Sequence, residues 1–308
     1  MRPLRNQCEV AVIGGGLAGL SAACHMARLG RLVTLFEASY MFGGLVATVD
    51  EVHGLAVPGK FSGQDLAVHL LDEARKAAVQ IIEAGVETIE AGAKLRIVDA
   101  EGRDYKPEVI IVASGASLRK LGVPGEEEFL GRGVSRCATC DGGFFRGQDV
   151  VVTGSGDAAV EEALVLAKIC RRVIMVCRSA LKAKREYVDK IASRDNVTFI
   201  WDSQIVEVLG EQGVSGVRVR NVKTGAVSDV ECSGLFPFIG VAPNTGFLPP
   251  ALLTNTGYVE TAQNYRSAEP RIFAAGAVRK EYGGNILQAM AEGVGAAEAA
   301  LRQLQQIS

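Results

Sequence analysis

The stretch Val10-Ala11-Val12-Ile13-Gly14-Gly15-Gly16-Leu17-Ala18-Gly19 decides the fold. Four apolar residues of strand character run into three glycines and then into the helical pattern Leu20 to Leu29. A second apolar strand, Leu32 to Phe36, ends at Glu37. Each residue type has a task in a strand–loop–helix unit that binds a dinucleotide. Gly14 permits the tight turn, and Gly16 lets the backbone approach a pyrophosphate. Gly19, next to Ala18, lets the helix pack close to the strand. The helix N-terminus faces the phosphates, and Glu37 is placed to accept hydrogen bonds from a ribose diol.

The same pattern returns with Gly154, 140 positions after Gly14. Val150-Val-Val-Thr-Gly154-Ser-Gly156-Asp157-Ala-Ala159 precedes the helix pattern Val160 to Ile169. The next strand, Arg172 to Val176, ends in Cys177-Arg178-Ser179 instead of an acid. An arginine in that place accepts a 2′-phosphate, so this copy reads as an NADP(H) site, with Lys182 adding charge. One glycine fingerprint is a weak signal. Two, each with a strand before and a helix after, predict an α/β fold with two Rossmann-like dinucleotide-binding domains, FAD in one and NADP(H) in the other.

Between the copies lie a helical pattern, Asp65 to Val79, and strand-like runs from Gln80 to Val98. A buried strand, Val109 to Val112, ends at Ala113-Ser-Gly115-Ala116. Beyond the second copy, Leu235 to Ile239 and the stretch Arg271 to Val278, with Gly276-Ala277, read as further strands with glycine turns. The second unit therefore reads as inserted into the first. Residues 1–116 and 245–308 form an FAD-binding domain, and 117–244 form an NAD(P)H-binding domain. Segments that cross twice between domains make natural hinges.

Cys137-Ala-Thr-Cys140-Asp141-Gly stands just before the second fingerprint. Thiols at this spacing close a disulfide across one helical turn, and a helix N-terminus there makes a better thiolate. Asp141 is a candidate proton donor to a departing thiolate. The other five cysteines are isolated in apolar segments and read as core. With three histidines in the chain and none near the pair, a zinc site lacks its second half, and no metal is expected.

With these residues in hand, the chain resembles the low-molecular-weight thioredoxin reductases from end to end. The most specific stretch is Gly131-Arg-Gly-Val-Ser-Arg-Cys137-Ala-Thr-Cys140-Asp141-Gly, supported by Ala158-Ala-Val-Glu-Glu-Ala-Leu. The resemblance implies a homodimer in the cytoplasm, with three-layer ββα domains that rotate against each other. It implies that electrons pass from NADPH through FAD and the Cys137–Cys140 dithiol to thioredoxin or a similar protein disulfide. Asp141 would be the acid–base residue, while the attacking cysteine stays open.

Several positions depart from the family pattern. Ser179 stands where a second arginine is usual, leaving Arg178, Lys182, Lys184 and Arg185. The usual Gly-Asp near the C-terminus, whose acid binds the flavin's ribityl chain, is Gly276-Ala277, and the following Arg-Gln is replaced by Gly283-Gly284-Asn285-Ile286-Leu287. The Gly-Gly-Gln-Leu segment is Gly43-Gly44-Leu45, and the loop His53 to Gly59 lacks its asparagine. Nearby backbone, or Asn285 capping a helix from Ile286 to Leu301, is the expected substitute, with FAD retained but held more loosely. The alternatives are a relative fed by NADH or ferredoxin, one acting on a different disulfide, a dithiol oxidase, or a regulator without turnover. Asp141 opposes the oxidase and the intact CATCDG opposes the regulator.

The bulk composition agrees with this reading. The chain has 308 residues, 48% hydrophobic and 22% charged, with 36 glycines at the ends of apolar runs. A net charge of −2 carries no nucleic-acid footprint and no polybasic membrane patch. The basic start Met1 to Arg5, followed by Val10 to Ala27, resembles a secretion signal superficially. Glu9 and the three glycines interrupt it, and neither export nor a membrane span is expected.

Overall fold

The computed structural model describes residues 8–49, 52 and 59–307. The Met1 to Arg5 start and the His53 to Pro58 part of the flavin-side loop lie outside the described residues. The chain folds into two compact units, residues 1–117 with 242–308, and 118–241.

The first unit opens with β1 (Val10–Ile13), α1 (Leu17–Arg28) and β2 (Val33–Phe36). Helix α1 starts directly after Gly16, three residues earlier than its apolar pattern suggests. The glycine turn itself delivers the chain in helical register. Helix α2 (Gly63–Lys76) begins at a capping box. Ser62 Oγ accepts from the Asp65 amide at 3.0 Å, and Asp65 Oδ2 accepts from the Ser62 amide at 2.9 Å. The helix stops before Ala78, whose φ of 59° cannot continue it.

Next come β3 (Gln80–Ile82), an antiparallel meander of β4 (Val86–Glu90), β5 (Arg96–Asp99) and β6 (Asp104–Tyr105), and then β7 (Val109–Val112). The chain leaves along β8 (Ala116–Leu118).

The second unit begins with the short helix α3 (Ala138–Asp141), followed by β9 (Asp149–Thr153), α4 (Asp157–Leu166) and β10 (Arg172–Val176). Helix α5 (Arg185–Ala192) and β11 (Val197–Ile200) come next. A meander of β12 (Ser203–Gly210), β13 (Val214–Asn221) and β14 (Val227–Glu231) precedes β15 (Gly234–Pro237). The chain returns along β16 (Val241–Pro243) and completes the first unit with β17 (Ile272–Ala274) and α6 (Ile286–Ile307).

The two units repeat one plan. The first holds a parallel sheet in the order β17-β7-β1-β2-β3, the second a parallel sheet in the order β11-β10-β9-β15. Strands covered on both faces need continuous apolar runs, and β1, β2 and β7 are buried throughout. In the first unit Val10, Val12 and Ile111 pack against Leu20, Met26, Ala296 and Leu304 of the helices. Ala11, Ile13 and Val112 pack against Ile89, Ile97 and Tyr105 of the meander. In the second unit Val150, Val152 and Met175 meet Val160, Ala163 and Leu166, while Val151 and Ile174 meet Ile205, Val208 and Val217. Each unit is thus three layers: helices, parallel sheet, antiparallel meander.

Helix α6 is longer than its expected span to Leu301. It packs on α1 so closely that a Cβ on Gly293 would stand 2.1 Å from the Ala18 carbonyl oxygen. One ion pair sits inside this apolar packing. Glu292 and Arg279, 4% and 6% exposed, meet at 2.8 Å. Arg279 also donates to Thr261 Oγ1 at 2.9 Å and lies over the Tyr265 ring. Removing Glu292 leaves the buried Arg279 charge with only the longer 3.7 Å contact to half-exposed Glu281. We expect Glu292→Ala to destabilise the first unit by about 3–5 kcal/mol. Urea titration followed by circular dichroism measures this, and a midpoint equal to wild type would contradict it.

Candidate active site

The first glycine loop gathers the residues that the sequence nominates for FAD. Gly14 has φ +106°, and a Cβ there would stand 2.3 Å from the Ala113 carbonyl oxygen. A Cβ on Gly19 would stand 1.8 Å from the Gly14 carbonyl oxygen. Gly16 differs, because the nearest atom to its Cβ position is 3.9 Å away. The loop is therefore packed shut on the sheet side and open at the residue where a pyrophosphate would lie against backbone. That is the arrangement a dinucleotide requires.

Glu37 directly follows β2, with Oε2 accepting the Gly15 amide at 2.5 Å and Oε1 accepting the Ser39 amide at 2.8 Å. The Gly43 amide bonds the Gly15 carbonyl at 2.8 Å, which brings Gly43 and Gly44 against Gly16. Gly276 reaches the same place, its Cβ position 3.0 Å from Ala18 Cβ, and Ala277 follows it in a short 3-10 turn. Gly115, with φ +67°, turns the chain after Ala113, and Asn244 clamps this turn through Ser114.

Where the aspartate of the related pattern is missing, a different carboxylate has been recruited by the turn. Glu292 Oε2 accepts the Gly276 amide at 2.8 Å, and its Oε1 accepts from Gln288 Nε2 at 2.9 Å. Gln288 Oε1 in turn accepts the Gly283 amide at 3.0 Å. Asn285 Oδ1 accepts the Gln288 amide at 2.8 Å and caps α6. Glu292 and Gln288 therefore tie the turn and the glycine segment to α6 from the protein side.

The second loop repeats the geometry with smaller changes. Gly154, at φ +140°, would place a Cβ 2.2 Å from the Phe238 carbonyl oxygen and 2.8 Å from Ala159 Cβ. Gly156 meets nothing within 4 Å. Asp157 Oδ1 accepts the Lys184 amide at 2.8 Å, and the Lys182 amide bonds the Ser155 carbonyl at 2.7 Å. The segment carrying Arg178 and Lys182 is thereby laid along the loop. Both side chains are exposed, and neither has an ion-pair partner among the described residues.

Cys137 and Cys140 form a disulfide with their Cα atoms 5.3 Å apart. Cys137 caps α3, its Sγ accepting the Cys140 amide at 3.1 Å. Asp141 closes the helix and takes a 2.6 Å hydrogen bond on Oδ2 from Ser135 Oγ, which also accepts the Cys137 amide at 3.2 Å. Ser135 is buried, and its own amide bonds the Leu235 carbonyl of β15. The acid beside the dithiol is thus pinned to the sheet. On the opposite side Glu162 of α4 accepts the Ala138 amide at 2.7 Å. Burial pushes the Glu162 carboxyl above the usual carboxylate range, against the lowering effect of that bond. Phe144 stands 80% exposed three residues after Asp141.

Sequence reasoning passed over Ser135, Glu162 and Phe144. Ser135 had a signal, a hydroxyl two residues before a cysteine that opens a helix. Glu162 lay inside the quoted Ala158 to Leu164 stretch but without an assigned role.

Two nucleotide cradles and a dithiol on one chain define a two-nucleotide disulfide oxidoreductase. Residues 8–293 match the pyridine nucleotide-disulphide oxidoreductase family. The thioredoxin reductase of Treponema pallidum is 39% identical over 301 residues, covering 96% of this chain and 97% of that one. The thioredoxin reductase of Streptomyces coelicolor is 35% identical, over 90% of this chain and 87% of that one. The thioredoxin reductase structure from Lactococcus lactis superposes with a TM-score of 0.91 at 32% identity, over 97% of this chain and all of that one. The chain belongs to the pyridine nucleotide-disulphide oxidoreductase family and, within it, to the low-molecular-weight thioredoxin reductase type.

The remaining cysteines, Cys8, Cys24, Cys170, Cys177 and Cys232, are buried and free. Burial pushes the Cys8, Cys170 and Cys177 thiols up to about 11 and Cys232 up to about 12. At mildly alkaline pH these groups stay protonated and inert. We expect the reduced native protein to release colour from Ellman's reagent for two thiols, and from seven after denaturation. A third thiol reacting at the same rate in the native protein would contradict this assignment.

Proposed function

We propose that this chain is an FAD-dependent thioredoxin-disulfide reductase that draws its electrons from NADPH. The observation that carries the reading is the Cys137–Cys140 disulfide on α3, with Asp141 held beside it, in a chain with two open glycine cradles. The balance is NADPH, a proton and a protein disulfide giving NADP+ and a protein dithiol. FAD bound there would supply a two-electron relay between the nicotinamide and the disulfide.

The protein's own residues do the rest. Gly14, Gly16, Ala18, Gly19, Gly43, Gly44, Ala113, Gly115, Gly276 and Ala277 would hold FAD, with Glu37 placed to accept from its ribose. Gly154, Gly156, Asp157 and Ala159 form the NADPH cradle. Arg178 and Lys182, both exposed and free of ion pairs among the described residues, favour a 2′-phosphate and so favour NADPH over NADH. Once reduced, a thiolate of the pair attacks the partner's disulfide, and the second thiol resolves the mixed disulfide. Asp141 holds a proton for the departing thiolate. Ser135 holds that carboxyl group in place through its 2.6 Å hydrogen bond.

The disulfide substrate is a protein of the thioredoxin kind. Exposed Phe144 and a cavity of ≈ 420 Å³, lined by Arg132, Ser135, Asp141, Phe144, Gln148 and Val214, adjoin the acid and suit a macromolecular surface. Family resemblance supports a cytoplasmic homodimer. Among the described residues no helix is long and apolar enough to cross a membrane.

Cys140→Ser tests the dithiol role. We expect this variant to keep its flavin spectrum and its reduction by NADPH but to lose thioredoxin reduction altogether. Thioredoxin turnover at the wild-type rate would sink the mechanism.

A further inference from the structure

Helix α3 offers few amides, and the structure divides them between a disulfide sulfur and a carboxyl group. The Cys140 amide goes to Cys137 Sγ at 3.1 Å, and the Ala138 amide, lying between the two cysteines, goes to Glu162 Oε2 at 2.7 Å. Glu162 belongs to α4, the helix that starts at the second glycine loop. We propose that Glu162 is a positioning residue for the dithiol: its carboxylate fixes the first turn of α3 and raises the proton affinity of the thiol formed there.

Two physical reasons lead to the sign. An anion near a developing thiolate disfavours the second anion. An amide engaged by a carboxylate is also unavailable to a thiolate at the same helix start. The surrounding charges do not mask the effect. On α4 the neighbour is Glu161, itself bonded by Tyr187 of α5, with Lys184 and Lys190 near the Tyr187 ring. On α3 the charged group is Asp141, bonded to Ser135. Strands β9 and β10 present Val150, Val152, Val173 and Met175 to this layer.

Burial already raises the Glu162 carboxyl before the disulfide opens. By linkage, a thiolate beside it raises that proton affinity further. Two-electron reduction with NADPH as donor breaks the S–S bond and gives NADP+, one thiolate and one thiol; the hydride carries the thiol's proton, and one further proton from solution completes the dithiol.

This inference rests on the dithiol being redox-active, as proposed above, and the test separates the two. The full-length protein is reduced with a chemical dithiol, freed of it anaerobically, and alkylated with iodoacetamide from acid to alkaline pH. Cys137 and Cys140 are quantified by peptide mass spectrometry in wild type, Glu162→Gln and Glu162→Asp. Glutamine keeps an acceptor for the Ala138 amide and removes the charge, whereas aspartate keeps the charge.

We expect the alkylation midpoint of Glu162→Gln to fall and that of Glu162→Asp to stay close to wild type. Below the midpoint, each unit of fall speeds alkylation by about threefold, because thiolate gain outweighs lost nucleophilicity. An unmoved or raised midpoint in Glu162→Gln overturns the proposal, and so does an equal fall in both variants. The outcome does not depend on NADPH or thioredoxin, so an enzyme inactive with both would count against the function alone.

Discussion

Close approach of backbone to backbone at the glycine loops is the constraint on which the rest of this structure depends. In the first unit the Gly14 turn touches Ala113, and Gly19 touches Gly14, at distances that no Cβ tolerates. This draws the start of α1 onto the ends of β1 and β7. It also leaves Gly16 at the helix N-terminus with no atom closer than the Gly43 carbonyl, 3.9 Å from its Cβ position, where backbone amides and the helix dipole favour phosphate. The second unit relaxes the third contact to Ala159 while keeping Gly154 tight and Gly156 open. One solution, used twice, yields two nucleotide cradles that differ chiefly in the residue at the end of the second strand, Glu37 or Arg178.

Around the dithiol the governing interaction is the hydrogen bonding of a four-residue helix. A helix this short has no intrinsic stability, since nucleation alone is unfavourable. It is held from outside by Ser135 at its acid and by Glu162 at its first amide. Those anchors come from β15, through Leu235, and from α4. The reactive disulfide is therefore placed by the same strands and helix that build the second nucleotide cradle. This is how one sequence block comes to carry both chemistries.

The fold class was legible because its signals are local. Val10 to Gly19 and Val150 to Ala159 each state strand, turn and helix in consecutive residues. Errors fell at helix ends. Helices α1 and α4 start three residues before their apolar patterns, since a glycine turn nucleates them without a side-chain cap. Helix α2 starts at Gly63, two residues before its apolar pattern, because the Ser62–Asp65 box fixes its first turn. The fate of the missing acid at position 277 was not legible. Its compensation joins Gly276, Arg279, Gln288 and Glu292 through tertiary packing of α6 on the turn, and no spacing rule connects a turn residue to a carboxylate sixteen positions on. Glu162 escaped notice for the same reason, as its partner Ala138 lies on a different element.

The central claim is that electrons enter from a pyridine nucleotide, pass through a flavin and leave through Cys137 and Cys140. Anaerobic addition of NADPH to the purified protein, followed in the visible spectrum, tests this most directly. We expect a flavin band that bleaches promptly with NADPH and more slowly with NADH. A flavin band that NADPH fails to bleach, or a protein that retains no flavin, would contradict it.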